Sequence, residues 1–267
     1  MMPVQTVLVF DALTFVLSAL TLSWVRRSFN SADGGGKDLT SVFQDVGEGL
    51  RYVLGHPVLR NISLMMALIN LLAATTQAQL VLFAKERLGA DDSGVGFLYA
   101  AGALGITALS LLAGPVRKRL SFSKAALGAL MLYGLLVAAF ATTSLYWIAL
   151  PLWALASGLG IFFNINTSSL RQAIVPDRML GRVQSIAAVL AWSAIPVGAL
   201  FGGLAIERTE NVALVYGVLG ALVFLTALSF SFTALGHAER YLPKKGEPET
   251  RDDEADAGSV ESRGSRR

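Results

Sequence analysis

Long apolar runs, separated by short charged clusters, dominate the chain. The runs are Val4–Val25, Val58–Ala84, Gly94–Val116, Ala125–Ala141, Leu145–Ile165, Val183–Ile206 and Val212–Leu235. Within each run the apolar residues are continuous rather than periodic. Crossing a bilayer takes about 20 apolar residues per helix, so each run predicts one transmembrane helix. In lipid the backbone must satisfy its own hydrogen bonds, and glycine-rich Leu/Ala/Val runs of this length do not read as barrel strands. The expected fold is therefore all-α, a polytopic transmembrane bundle of about seven spans.

The polar segments between the runs divide the chain further. Residues 1–25 form the first span, and 26–57 a linker on the cytoplasmic side. Residues 58–235 form a six-helix transmembrane domain, and 236–267 a disordered cytoplasmic tail. In the linker, Ser41 and Gln44 fit a capping box, in which each side chain satisfies a free amide at a helix start. Val42, Phe43, Val46, Leu50, Val53 and Leu54 then share one face at helical spacing. This helix is expected to lie on the membrane surface or against the bundle, and to end at Gly55-His56-Pro57. From Gly246 onward the tail is Glu, Asp, Arg, Ser and Gly, too polar to offset its ordering entropy.

Charge supplies the orientation. Arg26, Arg27, Lys37, Arg51 and Arg60 follow the first span, and Arg117, Lys118, Arg119 and Lys124 follow the third. Arg171, Arg178 and Arg182 follow the fifth, and Arg240, Lys244 and Lys245 the seventh. The loops between these are balanced, uncharged or acidic. Positive loops stay inside, which puts the amino terminus outside and the carboxyl terminus in the cytoplasm, in a plasma or inner membrane. The net charge of +3 belongs to this pattern and does not point to nucleic acid. Only 15% of residues are charged, against roughly a quarter in soluble domains, and mean hydropathy is +0.56. With no cysteine, disulfide frameworks and thiolate metal sites are excluded.

Enzyme chemistry has no foothold in the sequence, and no cofactor is expected. There is no HExxH and no Walker lysine motif. His56 and His237 both sit at helix margins. The informative residues are the polar ones within the spans. Asp11 is the one carboxylate well inside an apolar run, and a membrane-depth carboxylate is costly enough to suggest a proton carrier. The alternative is a structural acid bonded to a neighbouring helix. Asn70, Thr76, Gln77 and Gln79 lie on the second span, with Asn70 and Gln77 two turns apart on one face. They either meet a polar substrate in a wet cavity or bond neighbouring helices. Asn164, with Asn166, Thr167, Ser168 and Ser169, closes the fifth span, facing the pathway or capping the helix end. Gly198 and Gly202 form a GxxxG pair, and Gly94, Gly102 and Gly105 line the third span, all predicted at close helix contacts. Pro151 and Pro196 are predicted kinks. Tyr146 and Trp147 suit the outer membrane interface.

Several loops carry a family resemblance. Gly114-Pro115-Val116-Arg117-Lys118-Arg119 resembles the basic loop repeated in both halves of major facilitator transporters, with Lys118 where an acid often stands. Leu170-Arg171-Gln172-Ala173-Ile174-Val175-Pro176-Asp177-Arg178-Met179-Leu180-Gly181-Arg182-Val183 resembles the loop before the eleventh helix in the exporter branch that includes the enterobactin exporter and macrolide-efflux proteins. Asp11-Ala12-Leu13-Thr14-Phe15 is similar to that branch's sixth helix. Gly49-Leu50-Arg51-Tyr52-Val53 with His56-Pro57 is similar to its central linker.

The resemblance maps the seven spans onto helices six to twelve of a twelve-helix transporter, and the loop charges agree with that direction. It implies the carboxyl half of a proton-coupled exporter of a small amphipathic compound, such as a drug, a macrolide or a siderophore-like molecule. Its partners would be that substrate, the lipid bilayer and an amino-terminal half. It also implies gate or loop roles for Gly114, Arg117, Arg119, Arg171, Pro176, Asp177, Gly181 and Arg182. The competing expectation is a membrane module that does not transport, or a truncated product lacking the amino half.

Overall fold

In the computed structural model, residues 4–24 and 39–241 are described. Among these residues the structure is helical, with no strand. The chain divides into two compact units, Met1–Gln44 and Asp45–Arg267. The first contains α1 (Val4–Ser23), whose residues 9–23 are all exposed. Those residues are an apolar stretch shorter than the spans of the second unit.

The second unit takes in the end of α2 (Leu39–Gly55) and α3 (Pro57–Ala78), α4 (Leu80–Glu86), α5 (Asp92–Arg119), α6 (Phe122–Thr142) and α7 (Tyr146–Ile174). It continues through α8 (Asp177–Trp192), α9 (Ala194–Thr209) and α10 (Val212–Ser231) to a 3-10 segment, Ala234–Tyr241. Six helical stretches here are long and apolar enough to cross a membrane, with α8 and α9 counting as one. With the apolar stretch of α1 counted separately, the number of apolar helices agrees with the about seven spans that the runs predict.

Three helices, α5, α6 and α7, are longer than the runs that predict them. At about 1.5 Å per residue a span needs only some 20 residues for the hydrocarbon core. The 28 residues of α5 and 29 of α7 extend well past it. The polar group Asn164–Ser169 therefore lies within α7 rather than at its close. Its side chains bond back up their own helix: the Asn164 amide to Gly160 O at 3.0 Å, and the Thr167 hydroxyl to Phe163 O at 2.8 Å. Such bonds leave the helical ladder intact. Gly114, Arg117 and Arg119 likewise lie in the last turns of α5 instead of a loop. The stretch from Asp177 to Arg182 forms the first turns of α8, six residues ahead of the expected start. Pro176 (φ −59°, ψ 147°) is its N-cap.

Two expected spans are broken. The second is interrupted at Gln79 (φ −104°, ψ 14°), where α3 gives way to α4. The buried Tyr216 hydroxyl donates to Thr76 O at 2.7 Å, next to this break. The sixth is interrupted at Ser193, between α8 and α9. Pro196 has no amide hydrogen, so the Trp192 carbonyl loses its helical donor.

Close approaches at small residues set the packing. On α9 a Cβ at Gly198 would overlap the Leu71 carbonyl, and one at Gly202 would overlap the Thr75 side chain, so the GxxxG pair lies directly on α3. Gly105 and Gly158 bring α5 onto α7, and Gly134 and Gly220 bring α6 onto α10. One buried cluster joins α3, α6, α7 and α10 around Ile62, Leu130, Phe163 and Val223. A second, toward the opposite end, stacks Phe83 on Phe140 with centroids 4.5 Å apart and adds Tyr216 and Trp153.

The boundaries at either side of the bundle differ from those expected. The second unit begins inside α2, not after it. Gly49 sits against Arg182 and Ile186 of α8, and Val53 is buried with Leu59, Met179 and Val183. The single predicted apolar face is therefore divided: Val53 packs inward while Val46, Leu50 and Leu54 stay exposed. Val42 and Phe43 have side chains outside the described set. The helix begins at Leu39, so Ser41 lies within its first turn rather than capping it. At the other side, residues 236–241 of the expected tail belong to the 3-10 segment. Leu235 and Ala238 are fully buried, which ties the 3-10 segment to the bundle. Gly246 onward lies outside the described residues.

Candidate functional site

Three of the predicted polar residues come together. Asn70 and Gln77 of α3 face Asn164 of α7 across a cavity of about 270 Å³, whose wall also includes Tyr133 and Ser157. The two α3 amides do different work. The Asn70 amide donates to Ala191 O at 2.9 Å, on the carbonyl side of the α8–α9 break, and so joins two helices. Gln77 is exposed and makes no hydrogen bond within the described residues, leaving its amide available at the cavity wall.

Thr76 and Gln79 are placed elsewhere. The buried Thr76 hydroxyl donates to Ala73 O at 2.7 Å within its own helix. Gln79 forms the α3–α4 break, with its amide end beside Gly203 of α9. Asp11 is on the exposed α1, where its backbone carbonyl accepts from the Thr14 hydroxyl at 2.7 Å.

A second cavity of about 470 Å³ is bounded by α3, α7 and α8, with Asn164 on the wall of both. Arg171 lies here rather than on a loop. It is only 8% exposed, and its Nη1 donates to Gln184 Oε1 at 2.7 Å. Thr167 and Ser168 are its neighbours along α7. A third hollow, about 390 Å³ between α3, α9 and α10, is almost wholly apolar. A small-molecule site needs a few convergent polar groups to orient its ligand, and the two cavities that meet at Asn164 have them.

Arg182 is near the start of α8 and reaches back to α2. Its Nη1 meets Glu48 Oε2 at 2.8 Å, and Met179 Sδ lies 3.9 Å away. Gly181 is exposed, with nothing where a Cβ would go, and the same holds for Gly114. The side chains of Arg117, Arg119 and Asp177 are outside the described set.

Sequence reasoning passed over Gln184, Tyr133 and Ser157. Ser157 is a single polar residue inside an apolar stretch and Gln184 stands beside Ser185 at the start of one, a signal that was present in the sequence. Tyr133 looks like an ordinary interior aromatic residue until its neighbours are known.

The profile of a family described as transmembrane secretion effector, MFS_3, matches residues 2–254. The chain belongs to this family. It is thus a multi-pass membrane protein of the major facilitator transporter type, as its helices and loops suggest. No curated protein matches the chain significantly.

Proposed function

We propose that this family member acts as the carboxyl half of a proton-coupled exporter, moving a small amphipathic compound of the drug, macrolide or siderophore-like kind. Its amino terminus is outside and its carboxyl terminus is in the cytoplasm of a plasma or inner membrane. Alternating access comes from rocking of the six-helix unit against an amino-terminal half, with substrate held near the bilayer midplane. The observation that carries the reading is the cavity where Asn70, Gln77 and Asn164 converge. Gln77 is exposed and makes no hydrogen bond among the described residues, so its amide is available to water or a ligand. Asp11 is the candidate proton carrier, because it is a carboxylate within the apolar run of α1, where a charge is costly.

Because the chain has no cysteine, Gln77→Cys is a clean probe. In proteoliposomes, a small water-soluble thiol reagent should label it, and a transported amphipathic dye should slow the labelling. Dye flux should appear when an amino half is co-reconstituted. Failure to label under any condition, or the absence of flux with both halves present, would sink the reading.

A further inference from the structure

We propose that the cavity between α3, α7 and α8 is an anion site, which holds the carboxylate or phosphate head of an amphipathic molecule against Arg171. The proposal rests on the transporter reading only in calling that molecule a substrate.

Arginine is always charged and carries five N–H donors. A buried guanidinium is normally matched by a carboxylate, because an unpaired buried charge is among the costliest features of a fold. Arg171 is 8% exposed. Its one hydrogen bond goes to a neutral acceptor, Gln184 Oε1, at 2.7 Å. The ion pairs between described residues join Lys85 to Asp92 and Arg182 to Glu48, so Arg171 has no carboxylate partner among them. Most of its donors are unspent, and the residue lines a hollow of about 470 Å³.

The wall of that hollow has two characters. Thr167, Ser168 and Gln184 surround the cation with polar groups, while Ala187, Ala191 and Trp192 offer an apolar strip. A carboxylate or phosphate can take two parallel bonds from one guanidinium, and an acyl or aromatic body would lie along the strip. A cationic amphiphile would meet the Arg171 charge with nothing to offset it. Asn164 lies on both walls, so the anion site adjoins the Gln77 cavity. The substrate class is thereby narrowed to anionic or zwitterionic amphiphiles.

Binding, rather than flux, tests this. The full chain is placed in phosphatidylcholine nanodiscs and titrated with dodecanoate, dodecanol and dodecyltrimethylammonium. Trp192 emission is the reporter, and Trp192→Phe identifies its signal. Dodecanoate should saturate at concentrations about tenfold below the other two, as loss of a charged hydrogen bond predicts. Arg171→Gln should weaken dodecanoate by about tenfold and Arg171→Lys by much less. Equal binding of the three amphiphiles, or an unaltered Arg171→Gln, would overturn the proposal. Should Arg171→Gln not fold, Ala188→Glu serves instead, because it adds a carboxylate to the same wall. It should raise the melting temperature and abolish dodecanoate binding, and retained binding would overturn the idea. Replacing half the lipid by phosphatidylglycerol separates the two sources of the anion. Competition assigns the site to a headgroup phosphate, and its absence assigns it to a free carboxylate. Since no transport is measured, this result and the flux result can fail independently.

Discussion

Gly198 and Gly203 lie on the same helix and predict opposite outcomes. A methyl group at Gly198 would run into the Leu71 backbone carbonyl, which cannot move without shifting α3. At Gly203 the nearest atom is Gln79 Nε2 at 3.4 Å, the free end of a flexible side chain. Overpacking a tight contact costs about 1–3 kcal/mol. Gly198→Ala should therefore lower the melting temperature of purified protein by several degrees, while Gly203→Ala changes it little. Matched melting curves for the two variants would disprove this account of the α3–α9 contact. The GxxxG pair itself was legible in the sequence, but the identity of its partner was not. The same holds for the amides of α3. Sequence placed Asn70 and Gln77 on one face, yet Asn70 reaches a carbonyl 121 positions away and Gln77 reaches none. Only the fold tells these two amides apart.

Among the elements, the 3-10 segment was the least visible. Its composition resembles the polar tail that follows it, and its burial depends on Leu235 and Ala238 finding α3 and α6. Glu239 fixes it in place. The Ser123 amide donates to Glu239 Oε1 at 3.0 Å, and the Ser123 hydroxyl donates to Leu235 O at 2.6 Å. A carboxylate thus caps the start of α6, where negative charge is favoured. Burial by itself would push this carboxyl up, but the hydrogen bonds from Ser123 and Ser121 outweigh it and hold the carboxyl below its ordinary 4.5. A carboxyl depressed in the folded state stabilises above its unfolded value, and that contribution is lost as pH falls through the folded value. Glu239→Gln should therefore melt earlier than the natural chain at pH 7, with the gap closing as pH falls below 4.5. A gap that stays constant with pH would show that the carboxylate charge contributes nothing. Element boundaries went astray for a related reason. Hydropathy marks the apolar part of a helix, whereas α5, α7 and α8 continue as helix into the polar residues beside it.

For the whole molecule, the alternation of basic and non-basic loops makes orientation testable. Reporter fusions after Ala90 and after Lys124 should report outside and cytoplasm respectively, and the reverse result would overturn both the topology and the assignment of an export direction. Even the order of helices along the chain was plain, because each span must close its own backbone hydrogen bonds before it meets any neighbour. The sequence by itself therefore determined the helical class, the approximate number of spans, the charge asymmetry and the family. It also pointed to Asn70, Gln77 and Asn164 as polar residues that needed an explanation. Tertiary structure alone decided which helices touch, where α3 and α9 break away from straight continuations, and that Arg171 is an interior residue with a neutral partner. The reason is physical. Transmembrane spans are made stable locally, by length and apolar content. Helix association in lipid has little hydrophobic drive and depends on small-residue contacts and single hydrogen bonds. Those join residues far apart in the chain, and no window of sequence contains both ends.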